Sequence, residues 1–204
     1  MGWTRFGVLI SGSGTNLQSI IDACAGGLVP GEVAVVISNR EDAYGLQRAK
    51  FSGIPGIFLD PMAYDGPGAY DHAIRETLEL EDVEYVVMAG YMKLLGAEVL
   101  DAFPMRVVNI HPALLPSFAG ASGIRDAFEY GVKVTGVTVH FASAVFDEGP
   151  IIAQEAVEIE ADDTLESLEA RIHDVEHRLY PAALAALAEG RVVVEGRLVR
   201  VAPR

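Results

Sequence analysis

Short, uninterrupted apolar runs alternate along this chain with longer stretches of helical spacing. Phe6 to Ile10, Val33 to Ile37, Gly56 to Leu59, Tyr85 to Ala89 and Arg106 to Ile110 read as strands. Their apolar residues do not alternate with polar ones, which suits strands covered on both faces. Between them, Leu17 to Ala25, Tyr44 to Phe51, Ala69 to Leu80 and the shorter Gly96 to Phe103 read as helices. Such alternation predicts right-handed βαβ units, hence an α/β fold with a mostly parallel sheet and helices on both faces. After Pro112 the pattern changes. Pro116 to Gly123 reads as loop, Ile124 to Tyr130 as a short helix and Lys133 to Phe141 as a long strand. Ile151 to Ile159 follows a turn short enough to make it antiparallel to that strand. Asp163 or Thr164 can cap a helix running to about Glu189, where Gly190 stops it, and Pro181 inside it should introduce a kink. Val192 to Val194 and Leu198 to Val201 flank Glu195-Gly196, the signal of an antiparallel C-terminal strand pair. No repeat, low-complexity tract or linker intervenes, so residues 1–204 are expected to form one domain.

Hydrophobic residues make up 50% of the 204, ample for a large core, and the formal charge is −14. A surface that acidic argues against nucleic acid or an anionic membrane as partner. Any anionic ligand must then be held by local donors against the overall field. The single Cys24 cannot form an internal disulfide, suits a reducing compartment and reads as a small buried hydrophobe. No stretch approaches the roughly 20 apolar residues of a membrane span. The first strand begins too early for a secretion signal, and Phe6 stands where acylation at Met1-Gly2 needs Ser or Thr. A soluble, cytoplasmic protein is expected.

The candidate chemistry centres on Asn109-Ile110-His111-Pro112. Side chains alternate along a strand, so Asn109 and His111 share a side, and Pro112 biases His111 toward extended geometry beyond the last ladder bond. A carboxamide can donate to a developing oxyanion, and an imidazole can move a proton near neutral pH. The same residues also suit a plain strand end, with Asn109 satisfying backbone groups and His111 packed under a proline-rich loop. A second segment, Phe141 to Pro150, puts Asp147 in a turn just after an apolar run. A carboxylate within about 4–6 Å of an imidazole favours its charged form and fixes its tautomer. Asp147 can serve His111 in this way if the two strands are neighbours; by itself Asp147-Glu148-Gly149-Pro150 is also an ordinary turn.

Ser11-Gly12-Ser13-Gly14-Thr15-Asn16 lies between the first strand and the first helix. Glycines let a backbone approach an anion, and helix N-terminal amides with hydroxyls supply donors. Leu17 occupies the third-glycine place of the dinucleotide fingerprint, and no Gly-Lys-Ser/Thr follows, so a single phosphate fits better than a pyrophosphate. A tight turn without a ligand is the other reading. Ser11 also breaks the Gly-x-Ser-x-Gly of a hydrolase nucleophile elbow.

With the glycine loop, Asn-x-His-Pro and Asp-x-Gly-Pro in that order, the chain closely resembles the phosphoribosylglycinamide formyltransferases from about Phe6 to Gly190. The run from Asn109 to Pro116 with the later Asp147 is specific for the folate-dependent formyltransferase superfamily. Ser11 to Asn16 and Glu176 to Pro181 point to the glycinamide ribonucleotide branch. The resemblance implies a Rossmann-like formyltransferase fold. It also implies transfer of a formyl group from the co-substrate 10-formyltetrahydrofolate to the amine of glycinamide ribonucleotide in purine synthesis, without a metal. His111, Asn109 and Asp147 would be the catalytic group, with Thr138 in support. Gly14, Thr15 and Asn16 would hold the substrate phosphate, and Glu176 the ribose or glycinamide end. The folate would lie along Met92, Lys93, Leu94 and Leu95 and along Ser143, Ala144, Val145, Phe146 and Asp147, beside Asn109. Partners are then small molecules, and the protein a monomer or homodimer. Pro67 departs from the family pattern where members carry an arginine toward the folate tail. Ala119 and Ser122 stand where relatives often have proline and histidine, and His173 to Val175 also differ. Methionyl-tRNA formyltransferases share the trio but need an extra basic RNA-binding domain. Formyltetrahydrofolate deformylases normally carry an N-terminal regulatory domain. Neither is expected from 204 residues at −14.

Overall fold

The computed structural model describes residues 3–204; Met1-Gly2, considered above for acylation, lie outside them. Strands β1 (Thr4–Ile10), β2 (Gly31–Ser38), β3 (Gly56–Phe58), β4 (Tyr85–Met88), β5 (Val107–His111), β6 (Val134–Phe141) and β7 (Ile151–Glu158) form a seven-stranded sheet in the order β3-β2-β1-β4-β5-β6-β7. The first five are parallel, while β6 and β7 run antiparallel to their neighbours. A separate hairpin, β8 (Val192–Glu195) with β9 (Leu198–Val201), completes the strands. The helices are α1 (Thr15–Ala25), α2 (Tyr44–Phe51), α3 (Pro67–Leu80), α4 (Ala97–Leu100), α5 (Gly123–Tyr130) and α6 (Leu165–Ala188).

Both faces of the sheet are covered, as the continuous apolar runs require. Phe6, Val8 and Ile10 of β1 pack with Leu17 and Ile20 of α1 and with Ile172, Tyr180 and Leu184 of α6. Leu9, one residue out of phase, packs on the opposite face with Tyr70, Ile74 and Leu78 of α3. Full burial of each such aliphatic side chain contributes roughly 1.5–3 kcal/mol relative to leaving it exposed. Burial, with Glu32 nearby, pushes the Cys24 thiol up to about 11, in keeping with an inert core cysteine. Among the described residues no helix is long and apolar enough to cross a membrane.

Several boundaries differ from the sequence pattern, and two of these differences bear on the site. Helix α1 starts at Thr15 rather than Leu17, because Gly14 turns the chain in the left-handed region (φ 70°) and the helix follows at once. Strand β5 runs on through His111, which pairs with Thr138 across the ladder instead of lying beyond it. The long antiparallel neighbour β6 supplies that extra pairing. Helix α4 stops at Leu100, short of Phe103; Pro104 disfavours helical geometry in the residue before it, and Met105 adopts φ 54°. Thr164, not Asp163, caps α6: its hydroxyl accepts from the Ser167 N–H while the Ser167 hydroxyl accepts from the Thr164 N–H. Helix α6 runs through Pro181 as one element.

Candidate active site

A cleft of about 530 Å³ opens at the carboxyl ends of β1, β4 and β5, lined by the glycine loop, the residues after β4, the end of β5, Asp147 and one face of α6. It sits where the chain winds outward from β1 to β2 and β3 on one side and to β4 and β5 on the other. Ligands of open α/β sheets bind at such switch points.

One wall is the glycine loop. A Cβ on Gly14 would lie 2.7 Å from the Gly45 Cα, so glycine is what lets the loop pass this close to α2. No side chain caps α1, and the first amides of a helix have no intrahelical partner, so they remain available to an anion. Asn16 is buried, and its Nδ2 donates to Glu176 Oε2 at 3.0 Å. The other end of that amide, Oδ1, is buried without a partner among the described residues. Glu176, only 4% exposed, also receives the His173 Nδ1 at 2.9 Å. His173, Glu176 and Tyr180 recur at i, i+3 and i+7 and so share one face of α6. The Tyr180 hydroxyl reaches through the core to the carbonyls of Val108, at 2.9 Å, and Met88, at 3.1 Å. Helix α6 is thereby tied to β5 one residue before Asn109.

The second cluster gathers at the end of β5. Antiparallel pairing sets Asn109 opposite His140 and His111 opposite Thr138. The turn between β6 and β7 then returns Asp147 over this pair: His111 Nδ1 lies 3.5 Å from Asp147 Oδ2, and His140 Nε2 lies 3.5 Å from Oδ1. Asp147 itself takes φ 57°, and a Cβ on Gly149 would fall 1.6 Å from the Phe141 carbonyl oxygen, so this turn needs glycine there. Burial opposes the charge of Asp147. His140, the Gly120 N–H at 2.8 Å and His111 together outweigh it and hold the carboxyl below the usual carboxylate range. His111 Nε2 donates to the Phe118 carbonyl at 2.8 Å, so the 118–120 loop holds both members of the pair. Asn109 Nδ2 sits 3.2 Å from His140 Nε2, and the far ring nitrogen of His140 donates to the Phe141 carbonyl at 2.9 Å.

The third part is the loop after β4. Its Met92 N–H donates to Ser11 Oγ at 2.9 Å, and its Gly96 N–H to buried Asp71 at 2.8 Å, fixing the loop between the glycine loop and α3. Beside it, Leu94, Leu95, Ser143, Val145 and Phe146 enclose a small recess with Asn109, His140 and Asp147.

Of the residues singled out in the sequence, Gly14, Thr15, Asn16, Met92, Asn109, His111, Phe146, Asp147 and Glu176 line the main cleft, and Leu94, Leu95, Ser143 and Val145 the recess beside it. Lys93 and Ala144 line neither; the Lys93 ammonium lies 5.9 Å from the centre of the Tyr70 ring. Thr138 meets the chain after His111 rather than the trio, donating to the Ala113 carbonyl at 2.7 Å and accepting from the Leu115 N–H at 3.1 Å. Sequence reasoning missed His140 and met His173 only as a departure from the family pattern. Alternation along β6 gives the face of His140 only once β5 is known to be its neighbour, whereas the i, i+3 spacing of His173 and Glu176 was legible. Among the described residues no group of three or more His, Cys, Asp or Glu is arranged to hold a metal ion.

Comparison with known proteins places this geometry among relatives. The Formyl transferase family matches residues 4–184. The chain is similar to the solved structure of glycinamide ribonucleotide transformylase 1 from Symbiobacterium toebii, with a TM-score of 0.96 and 54% identity over 98% of this chain and 94% of that one. It is 40% identical to the phosphoribosylglycinamide formyltransferase of Bacillus subtilis over 90% of this chain and 94% of the relative. The Escherichia coli phosphoribosylglycinamide formyltransferase is likewise 40% identical, over 91% of this chain and 87% of the relative.

Proposed function

We propose that this chain, which belongs to the formyl transferase family, moves the formyl group of 10-formyltetrahydrofolate to the amine of glycinamide ribonucleotide in purine synthesis. One observation carries the reading: an anion-cradling glycine loop and the Asn109, His111 and Asp147 cluster line the same cleft. The unpartnered Asn16 Oδ1 beside Glu176 suits a sugar hydroxyl or amine donor, and the cleft of about 530 Å³ has room for a flat heterocycle as well. Small molecules are the substrates, residues 1–204 act as one formyltransferase domain, and the enzyme works in the cytoplasm.

The acceptor amine attacks the formyl carbon directly. The sequence carries no nucleophile elbow, and Cys24 lies outside the cleft. As the carbon–nitrogen bond forms, the carbonyl oxygen gains negative charge. Asn109 keeps one amide N–H for that oxygen when the other is turned to His140, and the His111 ring, held by Phe118 and Asp147, adds positive charge beside it. Asp147 offsets the positive charge on the imidazole. Donors already fixed in a water-poor site stabilise such charge without reorganisation at the moment of reaction. The proton leaving the amine passes through water to N10 of the folate as the carbon–N10 bond breaks. The test is an absorbance assay for tetrahydrofolate release with and without glycinamide ribonucleotide. Release only with the ribonucleotide is expected. Equal release without it, with formate as product, marks a hydrolase and overturns the reading.

A further inference from the structure

The turn that carries Asp147 is tied to little else in the chain. Its base is closed where the Phe141 N–H donates to the Pro150 carbonyl at 2.9 Å, and inside it the Ser143 hydroxyl donates to the Val145 carbonyl at 2.9 Å. Besides the contacts of Asp147 with the two imidazoles, two hydrogen bonds among the described residues join residues 143–149 to other segments. The Gly120 N–H reaches the Asp147 carboxylate at 2.8 Å, and Arg197 Nη1 donates to the Glu148 carbonyl at 2.9 Å. Asp147 meanwhile stands in the left-handed region at φ 57°, which a Cβ disfavours and which persists only where the surroundings hold it.

Arg197 comes from 49 positions further along the chain, at the tip of the hairpin formed by β8 and β9. Gly196 opens the two-residue turn there at φ 63°, a place where glycine matches the twist of the flanking strands, and Arg197 follows it. The hairpin is itself anchored. Val192, Val194 and Val199 pack on the core beside α6. At its base the Ala202 N–H donates to the Arg191 carbonyl at 2.9 Å, and Arg191 Nη1 donates to the Ala202 carbonyl at 2.6 Å. Arg204 beyond it donates to the Leu28 carbonyl at 3.0 Å. In a chain of charge −14, the Arg197 guanidinium is turned to a carbonyl, while Glu195 of the same hairpin pairs with Arg200 at 3.4 Å.

From these contacts we infer that Arg197 is a positioning residue for Asp147. The hairpin tip braces the peptide between Glu148 and Gly149 and so keeps the preceding carboxylate between His111 and His140. This rests on the reading that Asp147 serves formyl transfer. Rotation about the Asp147 and Glu148 backbone is what would carry the carboxylate away from the rings, and a fixed carbonyl one residue downstream opposes that rotation. On the other side of the same peptide, Gly149 already packs tightly on the Phe141 carbonyl, 1.6 Å being all that would separate a Cβ from its oxygen. The Gly120 N–H holds the carboxylate itself, so side chain and backbone of the turn are gripped from two separate loops. Arg197 thus reaches the reacting centre only through the turn that it holds.

The experiment is a double-mutant cycle in formyl transfer with the full chain, beside amide hydrogen exchange of the 143–149 segment. Arg197→Ala should lower kcat about two- to tenfold, the worth of one hydrogen bond, leave the acceptor KM in place and speed exchange in that segment. Arg197→Lys, whose ammonium can still donate to the Glu148 carbonyl, should recover part of both. Groups that act through one another are not additive, so in an Asp147→Asn background the same Arg197→Ala change should cost less than twofold. An unchanged kcat in Arg197→Ala, or an equal loss with and without the Asp147 carboxylate, overturns the proposal and leaves the proposed function standing. If the unchanged protein transfers no formyl group, the proposed function falls and exchange decides alone. Faster exchange at 143–149 in Arg197→Ala, reversed in Arg197→Lys, then supports the brace, and equal exchange in all three proteins overturns it.

Discussion

Nδ2 of Asn109 lies 3.2 Å from Nε2 of His140, its cross-strand partner, and the other nitrogen of that imidazole donates to the Phe141 carbonyl at 2.9 Å. A carbonyl only accepts, so Nδ1 carries a proton, and Nε2 takes one N–H of the amide when the ring is neutral and turns a proton to Asp147 when it is charged. The second N–H is then aimed by a group that does not itself line the main cleft. His140→Ala should lower kcat by up to about tenfold, the worth of one neutral hydrogen bond, with both KM values little changed. His140→Gln, whose amide oxygen can accept from Asn109, should recover part of the loss. Altered KM with unchanged kcat in both variants would argue for a packing role alone.

Asp147→Asn keeps the shape of the turn but removes the charge beside His111 and His140. Turnover should fall by about 10²–10³, the size of effect seen when preorganised electrostatic stabilisation is lost. The pH dependence follows from the depressed carboxyl. A group whose folded-state value lies below its unfolded one of about 3.9 contributes stability above that value and loses it as pH falls through the folded one. Melting temperatures of the two proteins should therefore differ near pH 7 and converge as the solution is taken below about pH 4. A gap that stays constant down to acid pH would mean that the carboxylate adds no charge-dependent stability.

Asn16→Ala removes the amide that binds Glu176 at 3.0 Å and the buried Oδ1 that awaits a donor. The acceptor KM should rise by more than about tenfold while the folate KM moves little, because a buried polar contact left unmade costs about 1–3 kcal/mol. Steady-state kinetics with each substrate varied in turn decides it. Equal rises in both constants would detach Asn16 from the acceptor site.

Gly123→Ala tests the loop that grips His111 and Asp147. The added Cβ would stand 3.1 Å from both His111 Nε2 and the Phe118 carbonyl oxygen, crowding their hydrogen bond from the side. Alanine suits the first turn of α5, so melting should shift little while kcat drops several-fold, less than the roughly 10²-fold cost of misplacing a catalytic group by about 1 Å because the imidazole needs to give by only a few tenths of an ångström. Full activity would show that the imidazole does not depend on this contact.

Tyr180→Phe should lower stability by about 1–3 kcal/mol, the cost of buried acceptors losing their donor. At this chain length that corresponds to roughly 2–4 °C in Tm per kcal/mol. The hydroxyl also fixes β5 one residue before Asn109, so a fall in kcat should accompany it. Differential scanning calorimetry and a single saturating assay measure both.

The linear chain determined whatever depends on neighbours in sequence. Uninterrupted apolar runs specified strands buried on both faces, the glycines at 12 and 14 specified the turn between β1 and α1, and the i, i+2 spacing of Asn109 and His111 put them on one side of β5. These follow from backbone periodicity and local sterics, which act over a few residues. Tertiary structure alone decided the pairings between distant segments. Asn16 meets Glu176 across 160 positions. His140 reaches Asn109 only because β6 returns antiparallel in one particular register, and Asp147 reaches His111 only because the turn that follows folds back over both. Register is a collective result of packing two hydrophobic faces at once, and a slip of one residue in β6 would send His140 to the opposite side.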